Sequence, residues 1–393
     1  MPLFDIPLAA SADKGIRRLA GATGASALAA LDGNTLIGER AVLAGMTIAG
    51  RRSAGGGCTL FDAIGGAVAL NLARPADREL LPALFASDAL DPEDETAIAA
   101  HVGRCDGAAL VERGRSMGLA MAFEYETNAP ACPISRLADG VRAVPASRQP
   151  RIIDLSALWA GPLAAHLLWL AGADVVKVES RTRPDAMRDG DAAFFALLNQ
   201  GKASVAIDLG DPRDRAALRA MIAAADIVIE AARPRALAQL GIDAAAIVRA
   251  TPGLVWITIT GHGATGEAAD WVGFGDDCGV AAGLSAALHS ACGQTGFVGD
   301  AIADPLTGIA AAEFAWEAWS KGDGGRYGVA MRHVVAGHLA DAQASDPIEL
   351  ATTLSAWNAA QGQPFPEVVR RPARPARPFG ADTHFRLAAV ASC

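Results

Sequence analysis

Aromatic residues are scarce in this chain: they make up 5% of 393 residues, and only two are tyrosine. That supply does not fill a stacked-sheet sandwich, and the abundant alanine and glycine point instead to helices packed closely on a sheet. Cysteine pairs are missing as well. Cys58, Cys105, Cys132, Cys278, Cys292 and Cys393 are scattered, with no CxxC and no metal-ligand spacing. This excludes a disulfide framework, gives no metal site, and makes a reducing cytoplasm the expected compartment. There is no excess of positive charge. The net charge of −9 removes any general attraction for nucleic acid or anionic membrane, so an anionic ligand must be met by local cations or helix N-termini. The apolar stretches are broken by charges, Gly or Pro, and the first residues, MPLFDIPLAASADKGIRR, do not form a secretory signal. P-loop, HExxH and GxSxG motifs are all absent.

Hydrophobic residues amount to 51%, enough for a large core, and the length suits two domains. From Arg151 to Gly261 strands and helices alternate. Strands are predicted over 151–155, 173–179, 204–209, 226–230 and 254–259. The helices between them open at Gly161-Pro162, Asp211-Pro212 and Asp243. Such alternation predicts a parallel sheet covered on both faces, an α/β fold with a Rossmann-like core. A glycine run at Gly55, Gly56 and Gly57, a strand over 67–72 and helical stretches to Met117 predict a smaller α+β domain. The expected division is a small domain over 1–145, the core over 150–345 and a C-terminal tail over 346–393 that returns to the core. Residues 143–150 would serve as the linker, and 370–378 (RRPARPARP) would be extended.

The first turn of the core, Ser156-Ala-Leu-Trp-Ala-Gly161-Pro162, holds one glycine and is not GxGxxG, which removes the main support for an NAD-dependent enzyme. The wider motif, Asp154-Leu-Ser-Ala-Leu-Trp-Ala-Gly-Pro162 followed by Leu170-Ala-Gly-Ala-Asp-Val-Val-Lys-Val-Glu179, resembles the family III CoA-transferases. That group includes formyl-CoA transferase, carnitine CoA-transferase and acyl-CoA racemases. The resemblance continues in order through Asn199–Asp208, Ala225–Glu230, Arg233-Pro234, Leu240-Gly241 and Thr258–Gly266. It ends at Ala301-Ile-Ala-Asp-Pro-Leu-Thr-Gly308. Arg52–Gly57 and Gly66–Leu72 resemble the family's glycine loop and next strand, yet they precede the core. Pro378–Thr383 resembles its closing motif. The order is that of a circular permutation.

The resemblance implies that Asp304 is a nucleophile, attacking an acyl-CoA thioester to give an aspartyl anhydride and then an aspartyl-CoA thioester. The substrates would be an acyl-CoA and a carboxylic acid acceptor, coenzyme A being a substrate, with no metal. A helix beginning at Asp304 would favour its ionised form. Asp304-Pro305 is equally an N-cap followed by proline, and Asp300 is a rival carboxylate. The resemblance also places Leu158, Trp159, Ala160, Arg181, Ile207 and Arg233 at CoA. Plain packing is the competing reading for the apolar ones and surface solvation for the arginines, as for Arg183, Arg188 and Lys202. Gly55–Gly57 would close over the reacting centre, or are simply a turn. Ser180 stands where a basic residue is expected, and Ala231, Gly210 and Gln239 replace polar CoA contacts. The family's interlocked homodimer is the expected assembly, a homologous partner chain being the other form. Three alternatives stand beside transfer. An acyl-CoA isomerase or racemase is disfavoured by Phe274 in the place of the G-H-D histidine. A non-catalytic acyl-CoA-binding subunit and an NAD-dependent enzyme are the others. His262 and His289 read as structural or surface residues, and Asp276-Asp277 as a solvated turn.

Overall fold

The computed structural model describes residues 5–126, 132–144, 147–232 and 234–391. Helices α1 (Ala9–Thr23) and α2 (Gly33–Leu43) come first. Asp32 caps α2 by accepting from the Thr35 amide at 2.8 Å. Three antiparallel strands follow, β1 (Cys58–Ala63), β2 (Gly66–Asn71) and β3 (Ala120–Phe123), with β2 in the middle. Two helices from the β2–β3 connection, α3 (Glu95–Val102) and α4 (Gly107–Ser116), bury Ile98, Val102, Leu110 and Val111 against Val68, Leu70 and Met121.

The large sheet has seven strands: β4 (Ile134–Asp139), β5 (Arg151–Asp154), β6 (Asp174–Ser180), β7 (Ala203–Ile207), β8 (Ile227–Glu230), β9 (Val255–Thr260) and β10 (Gly325–Ala330). Their order is β4-β10-β9-β8-β5-β6-β7, parallel throughout except that β4 runs antiparallel to β10. Without β4 this is the doubly wound order 3-2-1-4-5-6. The chain builds outward from β5 through β6 and β7, then returns to the other side of β5 for β8, β9 and β10. Alternate strand residues serve opposite faces. Ile152, Val175, Ile227 and Val255 belong to one apolar cluster, and Ile153, Val176, Val228 and Trp256 to the other.

On the first of these faces lie α5 (Ala160–Leu170), α6 (Ala192–Asn199) and, after α7 (Gly275–Ala281), the long α8 (Ala303–Ser320) and α9 (Met331–Ser345). Helices α5 and α8 approach closely because Gly308 has no side chain. A Cβ there would stand 2.8 Å from the Ala160 carbonyl oxygen. Asp304, one turn earlier on α8, is thereby brought to the first turn of α5.

The stretch 1–145 is spread over three places. Ile16 and Leu19 of α1 and Leu36 and Ile37 of α2 enter the apolar cluster of the large sheet. Residues 58–123 build the small sheet, and β4 is an outer strand of the large one. At the other end, the Pro378–Thr383 motif reaches the edge of β7. The Asp382 carboxylate accepts from the Ser204 amide at 2.9 Å, and the Thr383 hydroxyl oxygen accepts from the Ala206 amide at 2.9 Å. Among the described residues no helix is long and apolar enough to cross a membrane.

Two fully buried lysines hold the turn after β5. Lys202 Nζ donates to Asp154 Oδ2 at 2.8 Å, the Pro162 carbonyl at 2.9 Å and Asn199 Oδ1 at 3.0 Å. Lys177 Nζ donates to the Ser156 carbonyl at 2.9 Å and pairs with Asp185 at 2.9 Å. Asp185 in turn accepts from the Leu158 amide at 3.2 Å. Removing one member of such a pair strands a charge in the interior. Lys202→Met is therefore expected to cost about 3–5 kcal/mol of folding stability, read as a fall in the urea midpoint at unchanged slope. A midpoint equal to the native one would show that the pair does not hold the turn.

Candidate active site

Chain order in the large sheet reverses between β5 and β8, and a crevice opens outside the C-terminal ends of those strands. A cavity of about 250 Å³ lies there. Ala157, Leu158, Ala160 and Gly161 wall it after β5, Ala231 and Ala232 after β8, and Ile259, Thr260 and Gly261 at the end of β9. Trp271, Phe274 and Met331 add apolar surface, Arg74 reaches it from the small-sheet segment, and Asp304 faces into it. A second cavity of about 440 Å³ shares Ala157 and Ala232 with the first. It runs over the ends of β6 and β7, lined by Ile207, Leu209, Leu218, Leu237, Leu240 and Arg183 among others.

Asp304 is not the helix cap. The capping position of α8 is Ile302, which makes no side-chain cap, and Asp304 Oδ1 accepts instead from the Ala160 amide of α5 at 3.2 Å. Its other oxygen lies against Gly275, where a Cβ would fall 2.2 Å from Oδ2 and 2.3 Å from the Ala301 carbonyl. Only glycine leaves room there. The helix end was expected to favour the ionised carboxylate, but burial dominates and pushes the Asp304 carboxyl up to about 7. The Arg40 guanidinium and the Ala160 N–H pull it back, while Asp276 and Asp300 push it further.

Asp300, the rival carboxylate, is fully buried and taken by Arg40 of α2. Nε donates to Oδ2 at 2.7 Å and Nη2 to Oδ1 at 2.5 Å. Asp276 and Asp277 do not form a solvated turn. They begin the small-residue helix α7 and are carried inside, where burial raises Asp276 to about 7 and Asp277 to about 6. Asp276 Oδ1 accepts from the Ala301 amide at 3.0 Å, and Asp277 Oδ1 from the Phe274 amide at 3.0 Å and Asn71 Nδ2 at 3.1 Å. His262 is buried and pushed down to about 3 by desolvation, so it is neutral, while His289 is exposed. His262, Asp277 and Cys278 place their donor atoms within 4.8 Å of one another. The Arg115 guanidinium stands 3.4 Å from His262 Nδ1, so protein donors already meet this cluster.

Of the residues placed at CoA by resemblance, Leu158 and Ala160 line the first cavity and Ile207 the second. Leu158 sits at φ 66°, a left-handed conformation unfavourable for leucine, held by the Asp185 bond to its amide. The Trp159 indole is turned into the core, edge-on to Phe194 with ring centres 4.9 Å apart. Arg181 is exposed and folds back on β7, its Nε donating to the Ala206 carbonyl at 3.3 Å. Arg183 is the arginine that lines the second cavity. Arg188 is committed to Glu179 and Lys202 to Asp154. Arg233 lies outside the described residues. In the glycine loop, Gly55 lies against Arg40, a Cβ there being 3.1 Å from Nη2. Arg40 and Arg74 carry no sequence motif and were not foreseen.

An alanine at 275 must displace Asp304 or the Ala301 carbonyl, so Gly275→Ala is expected to cost about 1–3 kcal/mol in urea unfolding. Unchanged stability would contradict the close approach. Asp304 keeps its proton to about pH 7 in the folded chain, but only to about 4 when unfolded. Between those values the folded state binds more protons, and stability falls as pH rises. Asp304→Asn is thus expected to stabilise the chain at pH 8 by on the order of 1–3 kcal/mol, with the gain fading towards pH 4. Melting curves across that range read the effect, and a gain independent of pH would contradict the raised carboxyl.

Residues 148–337 match the family model described as CoA-transferase family III. The succinate–glutarate CoA-transferase of Agrobacterium fabrum is 35% identical over 172 residues, which cover 40% of this chain and 43% of that one. The formyl-CoA:oxalate CoA-transferase of Afipia carboxidovorans is 29% identical over 173 residues, covering 40% and 39%. A hypothetical protein from Mycobacterium tuberculosis, known by crystal structure, aligns at TM-score 0.45 and 25% identity over 55% of this chain and 60% of that one. The chain spans less than half the length of the curated relatives it matches. Its residues 148–337 belong to CoA-transferase family III.

Proposed function

We propose that this chain transfers CoA from an acyl-CoA to a carboxylic acid through Asp304. The observation that carries the reading is the placement of one carboxyl on the wall of a small cavity in the switch-point crevice, a cavity that shares Ala157 and Ala232 with a larger one over β6 and β7. In this reading the larger cavity takes the nucleotide end of CoA, with the apolar residues around Ile207 at the base and Arg183 near the phosphates. The thioester lies at Asp304, and the apolar wall of Trp271, Phe274 and Met331 keeps water from the acyl group.

The ionised Asp304 attacks the thioester carbonyl. An O–C bond forms, the C–S bond breaks, and CoA leaves as the thiolate, giving a mixed anhydride. The thiolate then attacks the aspartyl carbonyl and the original acid departs as its carboxylate. An acceptor carboxylate attacks the resulting aspartyl-CoA thioester, again expelling thiolate. Thiolate attack on the acceptor's carbonyl completes the exchange and restores Asp304. No net proton is consumed, so the cycle needs no acid or base beyond the carboxylates themselves. Phe274 on the cavity wall, where a racemase carries its histidine, offers no group to move a proton at an α-carbon.

The same reading takes the domain order as a permutation and the assembly as a homodimer, with the glycine segment closing over the reacting centre. Support for the permutation is that the small-sheet segment precedes the matched core while Pro378–Thr383 returns to β7.

Intact-mass spectrometry with a panel of acyl-CoAs and hydroxylamine tests the mechanism. Hydroxylamine converts an aspartyl anhydride or thioester into a stable hydroxamate. The expected result is a small mass increase mapping to Asp304, absent in Asp304→Ala and weakening as pH falls below about 7, where the carboxyl takes up its proton. CoA binding without any adduct, across the whole donor panel, would replace the transferase reading with that of an acyl-CoA-binding subunit.

A further inference from the structure

Asp304 does not stand alone. Its nearest ionised environment is assembled from three separated parts of the chain, and one of them lies outside the matched residues 148–337. Arg40 on α2 forks onto Asp300, four positions before Asp304, with contacts of 2.7 and 2.5 Å. The same guanidinium lies over the Trp159 ring, 5.0 Å from its centre. Trp159 immediately precedes Ala160, whose amide is the hydrogen-bond donor to Asp304. Asp276 closes the group from α7, anchored on the Ala301 amide. Gly55 packs against Arg40 on the remaining side. The charged groups facing Arg40 are Asp300, Asp276 and Asp304, and those facing Asp304 are Arg40, Asp276 and Asp300, with the Cys278 thiol nearby. Glu39, the neighbour of Arg40 on α2, is engaged elsewhere by Arg371.

We propose that Arg40 is a positioning residue for Asp304: it supplies the positive charge against which the nucleophilic carboxylate works, and its fork on Asp300 and stacking on Trp159 fix where that charge stands. The proposal rests on the reading of Asp304 as the nucleophile. The guanidinium that pairs with Asp300 also acts electrostatically on Asp276 and Asp304, and without it the charges acting on Asp304 would all be of like sign. Helix α2, and with it the N-terminal segment, is then part of the site. A lysine in place of Arg40 keeps the charge but loses the planar fork.

The test separates this proposal from the transferase reading, because it needs no acyl-CoA. The protein is labelled with ¹³C at its aspartate carboxyls, and the Asp304 signal is identified by its loss in Asp304→Asn. Its titration midpoint is then followed in native protein, Arg40→Lys and Arg40→Gln. Removing a neighbouring opposite charge raises a carboxyl midpoint by about one pH unit or more, so Arg40→Gln is expected to shift by that amount and Arg40→Lys, which keeps the charge without the fork that fixes it, by less. If Arg40→Gln does not fold with Asp300 left unpaired, Arg40→Gln/Asp300→Asn is used. It should still titrate above native, because Arg40 acts on Asp304 more strongly than Asp300 does. A midpoint unmoved by loss of Arg40 overturns the proposal. So does an acyl-adduct pH profile that stays in place while the midpoint moves. A shifted midpoint in a native chain that forms no adduct with any donor would leave the Arg40 pairing standing and remove the transferase reading.

Discussion

Two lysines with no access to water set the geometry on which the crevice depends. Lys202 and Lys177 lie beneath the turn that leaves β5, and each joins a carboxylate to a main-chain carbonyl of that turn. Burying a lysine is costly, and burial lowers Lys202 to about 8 even with Asp154 beside it. The bonds are directional, however, and a turn held by them cannot slide along the sheet. That fixed turn sends the Leu158 amide to Asp185 and places the Ala160 amide at the start of α5, where it meets Asp304. The strained Leu158 backbone persists because the network below it over-determines its place.

At Asp304 two effects compete, and burial is the stronger. Helix start, arginine and amide all favour the carboxylate, yet desolvation leaves its midpoint near neutrality instead of in the ordinary acid range. For the nucleophile proposed above this balance has a use. A carboxylate with both oxygens engaged, as Asp300 is by Arg40, would be a poor attacking group because its lone pairs are occupied. Asp304 has one hydrogen bond and an open side towards the cavity. The two aspartates are four residues apart, and their surroundings engage one at both oxygens and leave the other a side open to the cavity.

The parallel strands β5 to β9 were legible in the sequence because each is a short apolar run bounded by turn or capping residues, such as Asp211-Pro212 before a helix. The outer strand β4 was not. Its residues Ile134–Asp139 are partly exposed and carry Ser135 and Arg136, and only pairing with β10 makes them a strand. Asp304 could be singled out because its motif is local and continuous. Arg40 could not, since α2 carries no site motif and its partner lies 260 positions along the chain. Trp159 illustrates a further limit: sequence fixed its neighbourhood to the crevice, but which way the indole turns depends on Phe194 and the space beneath α5. Asp276 and Asp277 read as solvent-facing because adjacent acids usually are, and their burial becomes intelligible only with Arg40, Asn71 and the Ala301 amide in place.

The pairing of Arg40 with Asp300 closes a loop of 260 positions. During synthesis α1 and α2 leave the ribosome long before the helix that follows Asp300 has been made. Their apolar faces, with Ile16, Leu19, Leu36 and Ile37, have their partners in the large-sheet core and stay uncovered for that interval. Contacts of such separation slow folding and prolong exposure of aggregation-prone surface. The cluster around Asp304 thus assembles only after residue 304 has been made, and the apolar faces of α1 and α2 wait for their cover until the large-sheet core exists.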